Sequence, residues 1–552
     1  MASKFRVLRL APILSIAGIL ALPFKTSSQW STDPTQNLIV GYGLNPELAT
    51  DSSGGCYITY EQNTGYPRQL ILHRLNRYGL KAWGGNGIQI LGQLPEQWIA
   101  KIIEDGRYGT LISFVDDEVT GTPTSPVVNS RLRVQRVDSV GHFMWDSVGV
   151  RVSLSETSQG DQAITSDGKH GCIIVWTDTL NTLRAQRIDS TGTRVWSSNG
   201  IFVANNVQQP VLAVTDGYGG IFVSWITPVS SVYKMQRIRA NGTIAWDSLG
   251  INTPVGSTRL AFSGHGTVFS SGFTGTIQNI QYVAQKIDSS GTFLWPNPYT
   301  VLGESTISRF HGYPISVDNA GNPTFAWDKA IGNSSEVLSQ RVDSTGQPRF
   351  GNGGIRISST QASHKIVSAL SGRQSGNVYV WTDFRTPNGI FAQQLDTLGS
   401  SLWDTSDVPV SFPPLSPVQT VSDGKGGFIV VGVGDNFSIR AQQVSRNGKL
   451  GEITTSVNGE TATSPHEYLL FQNYPNPFNS STIIRYAIPR QSFVLIEVFN
   501  YLGQKVRTLV DRFHEPGFYQ INLDAEPLPS GVFFYVLRVP GDVEVRKFTI
   551  LK

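Results

Sequence analysis

The chain has 552 residues, a net charge of +3 and only 15% charged residues, with 56 Gly, 29 Pro and 10% aromatics. The length exceeds what one ordinary core takes, so several units or one large closed array are expected, and the composition suits short strands and tight turns rather than helices. A charge this small, with no Lys/Arg block, gives no electrostatic ground for nucleic acid or an anionic membrane as partner.

Residues 1–28 read as a secretory signal peptide. Lys4, Arg6 and Arg9 form a positive start, and an apolar run follows from Leu10 to Leu22. That run is shorter than the roughly 20 residues a membrane span needs. Thr26-Ser27-Ser28 offers small residues, so cleavage is predicted before Gln29. No later segment is long and apolar enough to span, and the mature chain is predicted to have no transmembrane segment.

From 29 to 452 a phrase recurs. It reads Gln186, Asp189, Gly192, Trp196, and again Gln135, Asp138, Gly141, Trp145. Its glycines fall at 79, 141, 192, 242, 291, 346, 399 and 448. The period is roughly 50 residues, which marks a repeat architecture. The unit at 209–255 shows the grammar. Strands are predicted at 210–214, 221–225 and 233–238, with a fourth opening at Thr243–Trp246. The turns are Asp216-Gly217-Tyr218-Gly219-Gly220 and Ala240-Asn241-Gly242. Four antiparallel strands per repeat is the arithmetic of a β-propeller blade. The last repeat has Gln442 and Gly448 but lacks the Trp, whereas Trp30 and Leu38-Ile39-Val40 stand unclaimed at the start. We therefore expect an all-β, eight-bladed propeller closed by the N-terminal strand, with seven blades as the alternative count. Cys56 and Cys172 occupy equivalent points of different repeats and are predicted to be two buried free thiols.

A Thr/Ser-rich linker is read at 453–466, and 467–552 reads as a small β-sandwich of six or seven short strands. Here Asn473-Tyr474-Pro475-Asn476-Pro477-Phe478, Gly503-Gln504, Ser530-Gly531 and the terminal stretch Lys547 to Lys552 fall in order. This stretch resembles the type A C-terminal sorting domain of the type IX secretion system, found in Bacteroidetes and related phyla, with an immunoglobulin-like fold. On that resemblance Asn473, Pro475, Asn476, Pro477, Phe478, Gly503, Gly531, Lys547 and Lys552 carry the sorting signal. It implies export through the periplasm, the type IX secretion machinery as partner, and an extracellular or outer-surface location. The repeats are similar to propeller-like arrays in passengers of that system, which have no activity attached. Trp381-Thr382-Asp383-Phe384-Arg385 is the fullest match.

No H-E-x-x-H, G-x-S-x-G or G-x-x-x-x-G-K-[ST] occurs, so no catalytic residue is assigned. The repeated tryptophans and Gln are expected to pack and to satisfy backbone groups, and the repeated Asp to cap turns. The hairpin turns are uniform, whereas the loops between second and third strands vary, and variable loops are where a scaffold carries function. Candidate ligand contacts are therefore Asp117, Asp178, Asp328, Asp383 and Arg385, with Trp98 as an exposed contact. Asp116, Asp117 and Glu118 offer oxygen ligands for Ca²⁺; without a spaced pattern, a solvated acidic loop is the plainer reading, and no cofactor is assigned. The expected function is a non-catalytic secreted propeller that binds a glycan, polymer or surface protein. An extracellular polysaccharide hydrolase or lyase, or a structural surface component, are the alternatives.

Overall fold

The computed structural model describes residues 29–551 except 63–67, 91–95, 123–124, 229–231, 257–258, 265, 277–278, 297, 306–313, 333, 361, 372–375, 404–406, 452–467, 474, 489–490, 516, 527 and 540–541. The stretches expected to be a signal peptide and a linker, and Lys552, lie outside the described residues. The chain divides into two compact units, one up to Ile453 and one from Thr454.

The first unit is propeller-like and all-β. Seven four-stranded antiparallel sheets follow one another at 44–90, 96–151, 159–204, 208–252, 259–305, 315–356 and 364–411. We number them sheets 1 to 7. In sheet 8 the strands Val418–Ser422, Phe428–Val433 and Ser438–Val444 are joined by Leu38–Tyr42, which pairs with Ser438–Val444. The expected role of the N-terminal segment is met by that pairing.

The second strand of each sheet explains the packing. It is buried on both faces, so it reads as a nearly continuous apolar run rather than an alternation. In Cys172–Asp178, Ile173 and Val175 pack toward sheet 4, while Cys172, Ile174 and Trp176 pack toward sheet 2. Every pair of consecutive sheets shares such a core. Sheet 8 also shares one with sheet 1, where Val40, Ile429, Val431 and Ile439 meet Leu48, Ile58 and Tyr60. Cys56 and Cys172 are free and buried in different cores.

The recurring Gly and Trp belong to one contact. Each glycine has positive φ at the turn between third and fourth strands, and the ring of the preceding repeat lies where its Cβ would be, except at Gly399, where the Ile355 side chain takes that place and the Phe350 ring stands 3.4 Å away. Trp145 sits on Gly192, Trp196 on Gly242, Trp246 on Gly291, Trp295 on Gly346 and Trp403 on Gly448. Trp30 sits on Gly79 of sheet 1, filling the place that the last repeat leaves open. The indole N–H also donates to the carbonyl two residues before the glycine: Trp30 to Arg77, Trp145 to Ser190, Trp196 to Ala240, Trp246 to Ser289, Trp295 to Ser344 and Trp403 to Arg446, at 2.8–3.2 Å.

The fourth strand departs from expectation. Residues 243–246 make a single bridge, Ile238 to Ile244, and the strand proper is Ile251–Asn252. The physical reason is Gln236. Its Oε1 accepts from the Trp246 N–H at 3.2 Å and its Nε2 donates to the Asp247 carbonyl at 2.7 Å, so a side chain takes the place of ladder bonds. Short fourth strands leave little unpaired edge to recruit other chains.

The second unit has two sheets. Leu469–Leu470, Ser481–Ile488 and Gly517–Asp524 form one; Lys505–His514, Ser492–Asn500, Gly531–Val539 and Asp542–Ile550 form the other. Ile484, Tyr486, Val494, Ile496, Tyr535, Leu537 and Phe548 fill the core between them.

The Gly–Trp contact gives a direct test. A Cβ on Gly448 would stand 2.7 Å from the Trp403 ring at φ +74°, whereas Gly168, at φ +71°, has nothing within 4 Å. Gly168→Ala should cost about 1 kcal/mol for the left-handed backbone alone. Gly448→Ala should cost a further ~1–3 kcal/mol for the overpacked ring. Equal shifts in the chemical-denaturation midpoint would show that the ring contact contributes nothing.

Candidate functional sites

The strand order puts both hairpin turns of each sheet at one end and the loop between second and third strands at the other. The turn end is uniform and internally satisfied. Asp189 Oδ1 accepts from the N–H groups of Thr191 and Thr193 at 2.9 and 3.0 Å, and Asp138, Asp288, Asp343 and Asp396 repeat this. Burial opposes the Asp189 charge, but the hydrogen bonds from Thr191 and Thr193 outweigh it and hold the carboxyl below its ordinary range. The recurring Gln serves its own sheet: Gln186 Nε2 donates to the Ser197 carbonyl at 2.6 Å and Oε1 accepts from the Trp196 N–H at 3.1 Å.

The sequence reading missed the arginine beside that Gln. Arg74, Arg136, Arg187 and Arg237 pair with the first-turn carboxylates Asp51, Asp105, Asp167 and Asp216 at 2.8–3.0 Å. Each also reaches a turn carbonyl of the next sheet, and Arg187 and Trp196 donate to the same Ala240 oxygen. A signal was present. Where the first-turn Asp is Ser263 or Ser371, the arginine position holds Lys286 or Gln394.

At the loop end the candidate side chains are not brought into one cluster. Asp117, Asp178, Asp328 and Asp383 lie on the second strands of four different sheets, Arg385 follows the last of these, and Trp98 is on the first strand of sheet 2. Asp178 caps its own turn, accepting from the N–H groups of Leu180 and Thr182 at 2.9 and 3.1 Å. Asp328 is buried within Pro323–Ile331. Asp383 is buried against Arg385 and lies 3.1 Å from His364 Nε2, while Arg385 also holds Asp407 at 2.8 Å. Burial would raise the Asp383 carboxyl, but hydrogen bonds from His364 and Arg385 more than reverse this and hold it far below the carboxylate range.

The acidic loop expected from Asp116 to Pro126 is instead a long hairpin, Thr110–Thr122 with Ser125–Val137. Asp116 is ion-paired to Arg133 at 2.7 Å, so its carboxylate is already committed to a cation. Trp98, expected as an exposed contact, is half-buried, because its indole N–H donates to Asp117 Oδ2 at 2.6 Å and the Arg68 guanidinium covers its ring at 4.7 Å. Arg68 also pairs with Glu96 at 2.7 Å and lies 3.8 Å from Glu61. Burial raises the Asp117 carboxyl above its ordinary range. The structure thus joins Trp98 and Asp117 and adds Arg68, Glu61 and Glu96. Among the described residues no group of three His, Cys, Asp or Glu is placed to hold a metal. Leu180, Phe384 and Phe437 stand exposed on the second-to-third-strand loops of sheets 3, 7 and 8.

In the second unit the Asn-Pro motif straps the last strand. Buried Asn473 donates through Nδ2 to Thr482 Oγ1 at 2.9 Å and to the Pro475 carbonyl at 3.1 Å. Asn476 Oδ1 accepts from the Thr549 N–H at 2.9 Å, and its Nδ2 donates to the Lys547 carbonyl at 3.3 Å. The Asn476–Pro477 bond is cis. Phe478 is buried, stacks on Phe548 and exchanges backbone hydrogen bonds with Thr549 and Leu551. Gly503 and Gly531 take positive φ, Gly503 in a tight turn closed onto Asn500. Lys547 is exposed. Residues 472–551 match the family described as "Secretion system C-terminal sorting domain". The chain carries a type IX secretion sorting domain. That domain marks the chain for export to the cell surface or extracellular space, and no helix among the described residues is long and apolar enough to cross a membrane.

No curated protein sequence matches the chain. Solved structures similar to it include a eukaryotic initiation factor, at 9% identity and TM-score 0.34 over 78% of this chain and 96% of that one. A six-bladed fungal lectin from Aleuria aurantia is 11% identical, with TM-score 0.29 over 52% and 94%. An exo-β-1,3-galactanase from Phanerochaete chrysosporium with galactose is 11% identical, with TM-score 0.25 over 95% and 98%. Likeness this slight carries no argument about fold detail or function.

Two outcomes are expected. Asp383→Asn should cost about 2 kcal/mol at neutral pH by removing the buried carboxylate that accepts from His364 and Arg385, while Asp407 keeps its hold on Arg385. Because the folded carboxyl titrates below the unfolded one, its contribution is full above about pH 4 and is lost as pH falls further. The gap between variant and wild type should therefore close on acidification, read by thermal melts at stepped pH; a constant gap would remove the assigned ion pair. Deleting 467–552 should leave the chain in the periplasm on fractionation, and its appearance outside would contradict the sorting role.

Proposed function

We propose that residues 29–452 form an eight-bladed propeller closed by the N-terminal strand, and that it is a non-catalytic binding module displayed or released outside the cell. The ligand class is an extracellular glycan, a polymer or a surface protein. The carrying observation is the asymmetry between the two ends of the sheets. At the turn end the same Asp, Arg, Gln and Trp contacts recur and are consumed by the fold. At the loop end the side chains differ from sheet to sheet, and apolar tips stand in solvent. A scaffold spends its regular residues on itself and leaves recognition to irregular loops. The second unit, with its proposed immunoglobulin-like fold, delivers this module.

One observation favours a second reading, a polysaccharide hydrolase. Asp117 is a buried carboxyl with a raised pKa, and Glu61 and Glu96 share Arg68 nearby. A glycosidase needs one protonated and one ionised carboxyl. Arg68 and Trp98 cover this group, which fits a structural cluster better than an open catalytic pair.

A glycan array probed with the mature chain should show at least one bound class, and incubation with that class should release no shorter products. Chain cleavage that disappears in Asp117→Asn would replace binding with hydrolysis. No bound glycan and no captured surface protein, with the fold intact, would leave only a structural role.

A further inference from the structure

The loop end of sheet 8 carries an exposed aromatic feature that the fold does not explain. Asp435–Phe437 is a short turn between the second and third strands of that sheet, and Asp435, Asn436 and Phe437 are all exposed. Asn436 has φ +54° and Phe437 φ +58°. Asn tolerates the left-handed region, but a bulky side chain there is an outlier. The Phe437 ring is 54% exposed, so burial does not offset the backbone cost. The turn uses only the backbone of Phe437, whose carbonyl accepts from the Gly43 N–H at 2.8 Å. Glycine would supply both the carbonyl and the positive φ with less strain.

The same pairing brings a second ring to this place. Tyr42 ends the N-terminal strand, pairs with Ser438 and is 59% exposed. Two exposed aromatics, a carboxylate and a carboxamide thus share one end of sheet 8. Strained residues concentrate at ligand sites, where the surrounding structure over-determines them.

We infer that Tyr42 and Phe437 form a saccharide-binding platform, with Asp435 and Asn436 as hydroxyl partners. This rests on the binding reading above and names its site and ligand class. A pyranose ring offers a C–H face to aromatic rings and a rim of hydroxyls to carboxylate and amide groups. Tyr adds a polar tip to its apolar body. A protein partner would need on the order of 800 Å² per side around a buried apolar centre. Two rings flanked directly by Asp435 and Asn436 fit one or two sugar residues instead.

The test is affinity electrophoresis of the full mature chain through gels cast with xylan, mannan, laminarin, dextran or pectin, with thermal melts in parallel. At least one polysaccharide should retard the wild type. Phe437→Gly and Tyr42→Ala should each weaken that retardation by about tenfold. Phe437→Gly should leave the melting temperature unchanged or higher, because it relieves the left-handed strain. Undiminished retardation of both variants would overturn this platform while leaving glycan binding in place. A lower melting temperature in Phe437→Gly, matching its loss of binding, would make the ring structural and overturn the inference. No retardation of the wild type in any gel would overturn both the platform and the glycan reading. Capture of a surface protein that Phe437→Gly abolishes, with no gel retardation, would assign the rings to a protein partner instead.

Discussion

The structure of the first unit depends on an indole seated where a glycine has no Cβ. The ring of one sheet lies on the turn glycine of the next, and its N–H ends on a carbonyl of that same turn. The contact joins apolar burial with one directed hydrogen bond, so it fixes both the distance and the rotation between neighbours. Cores between sheets supply most of the stabilising area, but apolar cores alone tolerate sliding. The indole and the turn carbonyl set the register of one sheet against the next.

The arginine network works on the same carbonyls. A buried ion pair is weak evidence for stability on its own, since desolvation offsets its attraction. Here each guanidinium also satisfies a turn oxygen of the adjoining sheet, so the pair is tied into a chain that crosses from sheet to sheet. Sheet 5 lacks both partners, with Ser263 and Lys286 in their positions, and its indole contacts remain. The Trp–Gly contact is thus the more general device, and the ion pair reinforces it.

The loop end is free of these duties, and chemistry differs there from sheet to sheet. Asp178 caps a turn, Asp383 holds a half-buried arginine and a buried histidine, and Asp117 supports Trp98. Asp178 and Asp383 both accept from the backbone N–H two residues on, yet their remaining partners differ. What surrounds each one comes from a different part of the chain. Phe437 and Tyr42 illustrate this, since 395 positions of sequence separate residues that share one end of sheet 8.

The repeat phrase, its period and its broken last copy were enough to anticipate four-stranded units and the N-terminal strand as the missing partner, because strand and turn chemistry is local. The ordered Asn-Pro, Gly and C-terminal motifs were likewise enough for the sorting domain. The arginine pairs were legible in principle, through the parallel loss of Asp and Arg in sheets 5 and 7, but only a three-dimensional register shows which carboxylate each arginine meets. The exposure expected for Trp98 failed because Arg68 and Asp117, from other strands, cover it. Phe437 gave no signal at all, since neither its left-handed backbone nor its neighbour Tyr42 is written in adjacent residues. The sequence by itself determined the four-stranded units and the export route, since each follows from patterns within a few tens of residues. Tertiary structure alone decided which loop side chains are consumed by the fold and which remain for a ligand, because burial and partnership at the loop end are set by contacts between distant strands.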